Sequence, residues 1–250
     1  MKAVAIIPAR MAASRFPGKP LEKIMGLPMI EHVRRRIQLC DSLAEVIVAT
    51  CDEDIRDVVE SFGGTVIMTA DSHERCTDRI AEAALKVDAD IVINVQGDEP
   101  LVVPEMMEKL IQPFLGDPTI PCVNLVVEIT DMAEFDSPNV IKAVLNPRGE
   151  AMYMSREPIP SKSKAGAAPY KIIKQTGLIA FGYEFLQVFT RLTPTPLEIV
   201  ESIDMLRAME HGYVVNTVEM DCITIGVDVP EDIQRAEALL ANDPLVATYI

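Results

Sequence analysis

Apolar and polar positions fall into blocks along the first half of the chain, and the blocks alternate between two periods. Ala3–Ile7 is apolar throughout, as a strand buried on both faces of a parallel sheet must be. In Met29–Leu39, Ile30, Val33 and Ile37 recur at helical spacing, which turns Arg34, Arg35 and Arg36 toward solvent. Glu45–Thr50 reads as a second strand, and Glu53–Phe62 as a helix closed by Gly63-Gly64. A short strand, Thr65–Met68, precedes a helix over Thr77–Val87 with Ile80, Ala81, Ala84 and Leu85 inward. Asp90–Val95 is a fourth strand, and Pro104–Phe114 a helix opened by proline in its first turn. This alternation predicts right-handed crossovers and an α/β fold, a mostly parallel twisted sheet flanked by helices.

The second half is less regular. Cys122–Ile129, Val140–Val144 and Ala151–Met154 read as strands, the last two joined by the turn Asn146-Pro147-Arg148-Gly149. Ser161–Pro169 reads as a mobile surface loop, Leu178–Phe181 as a strand and Tyr183–Arg191 as a short helix. After the breaker Thr193-Pro194-Thr195-Pro196, Leu197–Glu210 is expected as one helix with Ile199, Ile203 and Leu206 on one face. Tyr213–Val218 and Ile223–Gly226 are short strands before a final helix, Pro230–Leu240. With no internal repeat or interdomain linker, residues 1–250 form a single domain, with a smaller inserted subdomain at about 130–195.

Charge narrows the range of partners. A formal net charge of −15 argues against nonspecific nucleic-acid binding and against an anionic membrane surface. The five cysteines are scattered without CxxC pairing, which reads as reduced thiols and not as a disulfide frame or zinc site. The first apolar run stops at Pro8 and Arg10, too short for a signal peptide, and no window reaches the length of a membrane span. The expected compartment is the cytoplasm. No histidine has metal-ligand spacing: His32 is expected on the surface, and His73 within reach of the crevice described next. A G-x-S-x-G elbow is absent, and the 13 methionines read as core filler.

Ligands of open parallel sheets bind outside the carboxyl ends of the strands. Two segments belong there: the loop after the first strand, with Arg10, Arg15 and Lys19, and Gln96-Gly97-Asp98-Glu99-Pro100 after the fourth. The loop matches neither a Walker P-loop nor G-x-G-x-x-G. Its three cations and its glycine suit a polyphosphate, whereas the plainer reading is a solvated connector. Asp98 and Asp228 each end an apolar run and suggest a Mg²⁺ site, since Mg²⁺ uses one or two carboxylates and completes its shell with phosphate and water. Asp228 would serve equally as the N-cap of the last helix.

Four stretches, in order and spread over nearly the whole chain, resemble the CMP-Kdo synthetase (3-deoxy-manno-octulosonate cytidylyltransferase) family. They are Ile7-Pro8-Ala9-Arg10 with Ser14-Arg15-Phe16-Pro17-Gly18-Lys19-Pro20-Leu21, Val46–Thr50, Asn94–Pro100, and Gly226–Asp232. The resemblance implies a GT-A-like nucleotidyltransferase fold, a Mg²⁺-dependent reaction of CTP with a sugar acid in lipopolysaccharide biosynthesis, and a homodimer. Carried across residue by residue, it gives Arg10, Arg15 and Lys19 the CTP phosphates and makes Asp98 and Asp228 the Mg²⁺ ligands. Arg10, Lys19, Asp98 and Asp228 are then the catalytic set. Pro8, Ala9, Thr77, Arg79 and Gln96 complete the nucleotide site, and Arg156, Gln175 and Asp204 bind the acceptor.

The departures are specific. Where the family has His-x-Ser-Gly-Thr-[Asp/Glu]-Arg, this chain has Arg75 and Cys76 in place of the small residues beside the nucleotide. Gln175 replaces a histidine, Ile179 a tyrosine, and Asp204-Met205 a Glu-Gln pair, all in the family's ulosonic-acid pocket. Loss of polar groups there would alter which acceptor is accepted, Kdo or a modified Kdo-like acid. The implied reaction is in-line attack of the acceptor's anomeric hydroxyl on the α-phosphorus of CTP, with pyrophosphate leaving. Rival readings are transfer to another small acceptor such as a hydroxy acid or sugar-1-phosphate, a GT-A glycosyltransferase, and a non-catalytic nucleotide-binding module.

Overall fold

The computed structural model describes residues 1–12, 16–73, 75–161 and 170–250. All but the first residue of the loop expected over Ser161–Pro169 therefore lies outside the described residues, as does Arg15. β1 (Ala3–Ala9) leads to a 3₁₀ turn at Lys19–Leu21, then to the ribbon β2 (Lys23–Ile24) and β3 (Leu27–Pro28), then to α1 (Met29–Gln38). Three strand–helix units follow: β4 (Leu43–Thr50) with α2 (Glu53–Ser61), β5 (Thr65–Met68) with α3 (Cys76–Ala84), and β6 (Ile91–Asn94) with α4 (Pro104–Gly116). Next come β7 (Cys122–Glu128), α5 (Met132–Asp136), the hairpin β8 (Lys142–Leu145) and β9 (Ala151–Ser155), and β10 (Ile173–Gly182). The chain closes with α6 (Tyr183–Phe189), α7 (Pro196–Glu201), α8 (Asp204–Glu210), β11 (Val215–Glu219), α9 (Glu231–Leu240) and α10 (Val246–Tyr249).

The main sheet runs β11-β7-β10-β6-β1-β4-β5 and is mostly parallel. β1 pairs in parallel with β4 and β6, β4 with β5, and β7 with β11, whereas β10 runs antiparallel between β6 and β7. Residues 130–195 supply β10 to the middle of this sheet and the β8–β9 hairpin that pairs with its first residues. β1 is buried along its whole length. Its alternate residues feed two cores: Ala5 and Ile7 meet α1 and α4 through Ile30, Val33, Leu110 and Phe114. On the other face, Val4 and Ile6 meet Ile80 and Ala84 of α3 and the Phe181, Phe185 and Phe189 group. Burying each such side chain contributes roughly 1.5–3 kcal/mol, which is what holds the strand ends in register. A smaller cluster of Ile24, Met29, Leu101, Val227, Ala236 and Leu240 seats α9 beside the β2–β3 ribbon. No helix among the described residues is long and apolar enough to cross a membrane.

Several expectations change. The arginines of α1 do not form a solvated face: Arg34 and Arg36 are buried, and so is His32. Arg34 grips the buried Glu31 through Nε and Nη2, both at 2.7 Å, and Arg36 Nε donates to Val102 O at 2.6 Å. His32 stands between Ile24 O (2.8 Å) and the Tyr249 hydroxyl (2.9 Å), so the chain terminus covers what periodicity marked as surface. The helix expected over Leu197–Glu210 is two helices. Glu198 reaches back to Thr195 N–H at 3.2 Å to start α7, Ser202 takes a left-handed φ of 54° to end it, and Ile203 turns inward. Ile199 is left exposed. No strand forms at Ile223–Gly226, and β10 begins at Ile173, five residues before the apolar run Leu178–Phe181.

Candidate active site

β1 ends at Ala9, and Gly18 N–H donates to Met11 O at 3.0 Å, which sets Gly18 beside the strand end. Gly18 has φ +78°, the left-handed conformation that glycine adopts without steric cost, and it caps the 3₁₀ turn that carries Lys19. β6 lies beside β1, so the segment after it emerges at the same edge, with Asp98 facing Lys19. Lys19 Nζ donates to Asp98 Oδ2 at 2.6 Å and to Val227 O at 2.8 Å, and lies 3.8 Å from Asp228 Oδ1. Asp228 arrives from a loop and not from a strand end: Val227 N–H donates to Asp98 O at 2.9 Å and pins the two segments together. Asp228 is not the N-cap of α9, a place that Pro230 takes without a side-chain cap; Asp232 Oδ2, from the first turn of the helix, accepts from the N–H groups of Asp228 and Val229 and fixes the loop.

These groups floor a cavity of about 240 Å³ lined by Pro8, Ala9, Arg10, Phe16, Lys19, Pro20, Cys76, Gln96, Gly97, Asp98 and Asp228. Arg10 stands exposed at its rim. The adjoining recess brings Arg10 together with His73, Arg75, Cys76 and Arg79. Arg79 is buried and donates to Thr69 Oγ1 (2.5 Å) and Ala70 O (3.2 Å), while its Nη2 has no partner among the described residues. His73 is held by Glu82 at 2.5 Å. Cys76 is exposed as a residue, but the surrounding protein strips water from its thiol and, with the Asp204 and Asp98 carboxylates, pushes it up to about 11, so it stands as a neutral thiol at neutral pH.

A second cavity, about 600 Å³, shares Asp228 with the first and is lined by Glu99, Lys174, Gln175, Gly177, Thr224 and the Asp131–Ile141 segment among others. Glu99, to which the motifs assign no role, lines this second cavity. Burial, reinforced by Asp98, pushes its carboxyl up to about 7, against the Gly177 N–H bond and Lys174 that favour the charged form. The contact depends on a bulge in β10, where Gln175 pairs with Val126 but Ile179 already pairs with Asn124. Asn124 Nδ2 fills the bulge, donating to Thr176 O (3.1 Å) and Leu178 O (2.9 Å), and Gly177 N–H then reaches Glu99 Oε1 at 3.1 Å. A Cβ at Gly177 would lie 2.3 Å from Gln96 Cγ and 2.9 Å from Glu99 Oε1, so only glycine fits.

The structure thus gathers Pro8, Ala9, Arg10, Lys19, Gln96, Asp98 and Asp228 into one cleft, with Arg79 beside it and Gln175 on the wall of the next cavity. Thr77, Asp204 and Arg156 line neither of these two cavities. Thr77 Oγ1 and Arg75 Nη1 both donate to Asp204, at 2.9 and 2.8 Å, tying α3 to α8. The Arg156 guanidinium donates to Glu201 O, Pro138 O and Ser202 O, bracing the segment that walls the second cavity. Ile179 and Met205 are buried in the core. Asp98 and Asp228 offer oxygen donors only, and among the described residues no group of three or more His, Cys, Asp or Glu could hold a metal. A cationic group already stands against both carboxylates, and the pair suits a divalent ion that takes its remaining ligands from phosphate and water.

Comparison with known proteins finds similarity over nearly the whole chain. Residues 4–221 match the family model described as cytidylyltransferase. A 3-deoxy-manno-octulosonate cytidylyltransferase of Geobacter metallireducens is 43% identical, covering 97% of this chain and 99% of the relative. Its counterpart in Syntrophotalea carbinolica is also 43% identical, over 96% and 99%. The solved structure of CMP:2-keto-3-deoxy-manno-octonic acid synthetase complexed with CTP superposes with a TM-score of 0.91 at 42% identity, covering 96% and 99%. A 4-diphosphocytidyl-2C-methyl-D-erythritol synthase from Anaerococcus prevotii, 16% identical with a TM-score of 0.63 over 96% of each chain, shares the fold.

Proposed function

The chain belongs to the cytidylyltransferase family, and from that premise we propose that it couples CTP to 3-deoxy-manno-octulosonate, giving the CMP-sugar acid and pyrophosphate. The observation that carries the reading is the convergence of Lys19, Asp98 and Asp228 at one point between two cavities, with Arg10 at the rim of one and Gln175 on the wall of the other. Nucleotide and acceptor then meet over Asp228, the common wall, which suits a displacement whose entering and leaving oxygens lie on opposite sides of the phosphorus.

Arg10 and Lys19 bind the triphosphate and offset the charge that builds on departing pyrophosphate. Gln96, held against Gly177, borders both the nucleotide and the entering hydroxyl, so the β10 bulge sets their relative placement. Gln175 orients the acceptor, and Arg156 acts through the cavity wall that it braces. Asp98 and Asp228 would hold Mg²⁺, which when bound supplies a divalent charge to polarise phosphoryl oxygens. Of the three departures from the family pocket, only Gln175 lines the cavity, whereas Ile179 and Met205 are core residues. The polar wall facing the acceptor is therefore largely kept, and the unmodified acid is the acceptor proposed.

A homodimer is proposed as well, supported by α7, whose Ile199 and Val200 are 63% and 80% exposed. The cytoplasm is the proposed site of action, in keeping with five free thiols, Cys40, Cys51, Cys76, Cys122 and Cys222.

The test is pyrophosphate release with CTP, Mg²⁺ and a panel of 2-keto-3-deoxy acids, other hydroxy acids and sugar-1-phosphates. Turnover is expected with 3-deoxy-manno-octulosonate, falling about a hundredfold or more in Asp98→Asn. Release with a sugar-1-phosphate alone would overturn the acceptor, and an unimpaired Asp98→Asn the role of that carboxylate.

A further inference from the structure

Three segments far apart in the chain build the cage around Lys19 Nζ: the 3₁₀ turn after β1, the loop after β6 and the loop before α9. The ammonium takes one carboxylate oxygen at 2.6 Å, one carbonyl oxygen at 2.8 Å, and sits 3.8 Å from a second carboxylate. The Lys19 side chain is only 13% exposed. An ordinary surface lysine makes no such set of contacts, because ordering its long stem costs more than one solvated ion pair returns. The ammonium thus stands against both of the carboxylates that would hold a divalent ion.

We propose that Lys19 is a resident counter-ion of the metal site, which keeps divalent cations off Asp98 and Asp228 until a nucleotide triphosphate draws its ammonium away. The inference rests on the reading of Asp98 and Asp228 as metal ligands. With the site empty of nucleotide, a metal entering between the two carboxylates must displace an ammonium from a charge-assisted hydrogen bond, and meets like charge while doing so. A triphosphate changes the balance. Its oxygens are stronger anionic acceptors within reach of the same flexible stem, and a lysine, unlike an arginine, is a compact charge that can pivot between partners. Once Lys19 turns to phosphate, Asp98 loses the ammonium bonded to its Oδ2 and the like charge that repels a divalent ion is gone from beside both carboxylates. Nucleotide and metal therefore bind with positive coupling, and by linkage each raises the affinity of the other.

The experiment measures Mn²⁺ binding by water-proton relaxation, which separates protein-bound from free ion, in the wild-type chain and in Lys19→Met. Without nucleotide, Lys19→Met is expected to bind Mn²⁺ about tenfold or more tightly than wild type, the size of a lost charge-assisted contact. Lys19→Arg, which keeps the cation, is expected to stay close to wild type. Lys19→Gln carries the same expectation as Lys19→Met and replaces it if the methionine variant does not fold. Equal Mn²⁺ affinity in wild type and neutral variants without nucleotide overturns the proposal while leaving the metal site intact. Failure of every form to take up Mn²⁺ even with CTP overturns the two-carboxylate site and this inference with it.

Discussion

Glu198 is 1% exposed and accepts two bonds from the Arg207 guanidinium, at 2.5 and 2.8 Å. Burial alone would raise its carboxyl, but Arg207, the Thr195 N–H and Arg75 together hold it below the ordinary carboxylate value. Its folded pKa being depressed, Glu198 stabilises the protein above the ordinary carboxylate range, and that contribution is lost as pH falls through the folded value. Glu198→Gln is expected to cost about 3–5 kcal/mol in urea denaturation at neutral pH, because it strands a buried guanidinium. The difference from wild type should shrink toward acid pH. Gly177→Ala is expected to leave the fold intact and to lower pyrophosphate release about a hundredfold by pushing Gln96 and Glu99 out of place. An unchanged rate would show that the bulge does not position them. Arg10 and Asp98 were legible because each lies just past a strand end that the apolar pattern marks, and Lys19 because it belongs to the same cationic segment as Arg10. Glu99 was not, since its neighbours Gly177 and Lys174 come from a strand some 75 residues on.

α1 illustrates what periodicity misses at the level of an element. Its stripe of Ile30, Val33 and Ile37 is buried as the helical period requires, but that period carries no information on what covers the arginines opposite. Arg34 is instead closed off by Glu31 and Phe62 O, and the C-terminal turn covers the other two: Tyr249 O accepts from Arg35 Nη1 at 2.8 Å, and Arg36 Nη2 lies 2.7 Å from Asp243 Oδ2. The Arg36 guanidinium also stacks over the Tyr249 ring, 5.6 Å from its centre. Tyr249→Ala is expected to cost about 3 kcal/mol, measured by denaturant unfolding, from lost burial and unpartnered groups on α1. Burial, aided by Arg36 and Arg35 against the Ile24 carbonyl bond, lowers the His32 pKa below its ordinary 6.5. The folded state therefore favours neutral imidazole, so His32 leaves stability untouched above that value and erodes it as pH falls below. A stability profile flat from pH 7.5 to 5.5 would contradict this.

At the scale of the whole molecule, α7 presents Ile199 and Val200 to solvent although its other side is anchored by the buried Glu198. Val200→Glu is expected to convert a dimer to monomer in sedimentation velocity. A wild-type chain that sediments as a monomer would remove the basis for pairing through this face. The alternation of apolar blocks was enough to determine the parallel half of the sheet, its flanking helices and the edge where Lys19 and Asp98 emerge. Those features follow from side-chain period and short connections, which are local properties of a chain. What only the tertiary structure decided was the place of Asp228, the burial of the α1 arginines, the break at Ser202 and the bulge that brings Gly177 to Glu99. Each depends on a partner distant in sequence, and such pairings are chosen by how the layers pack and which buried polar groups find one another, neither of which a local window contains.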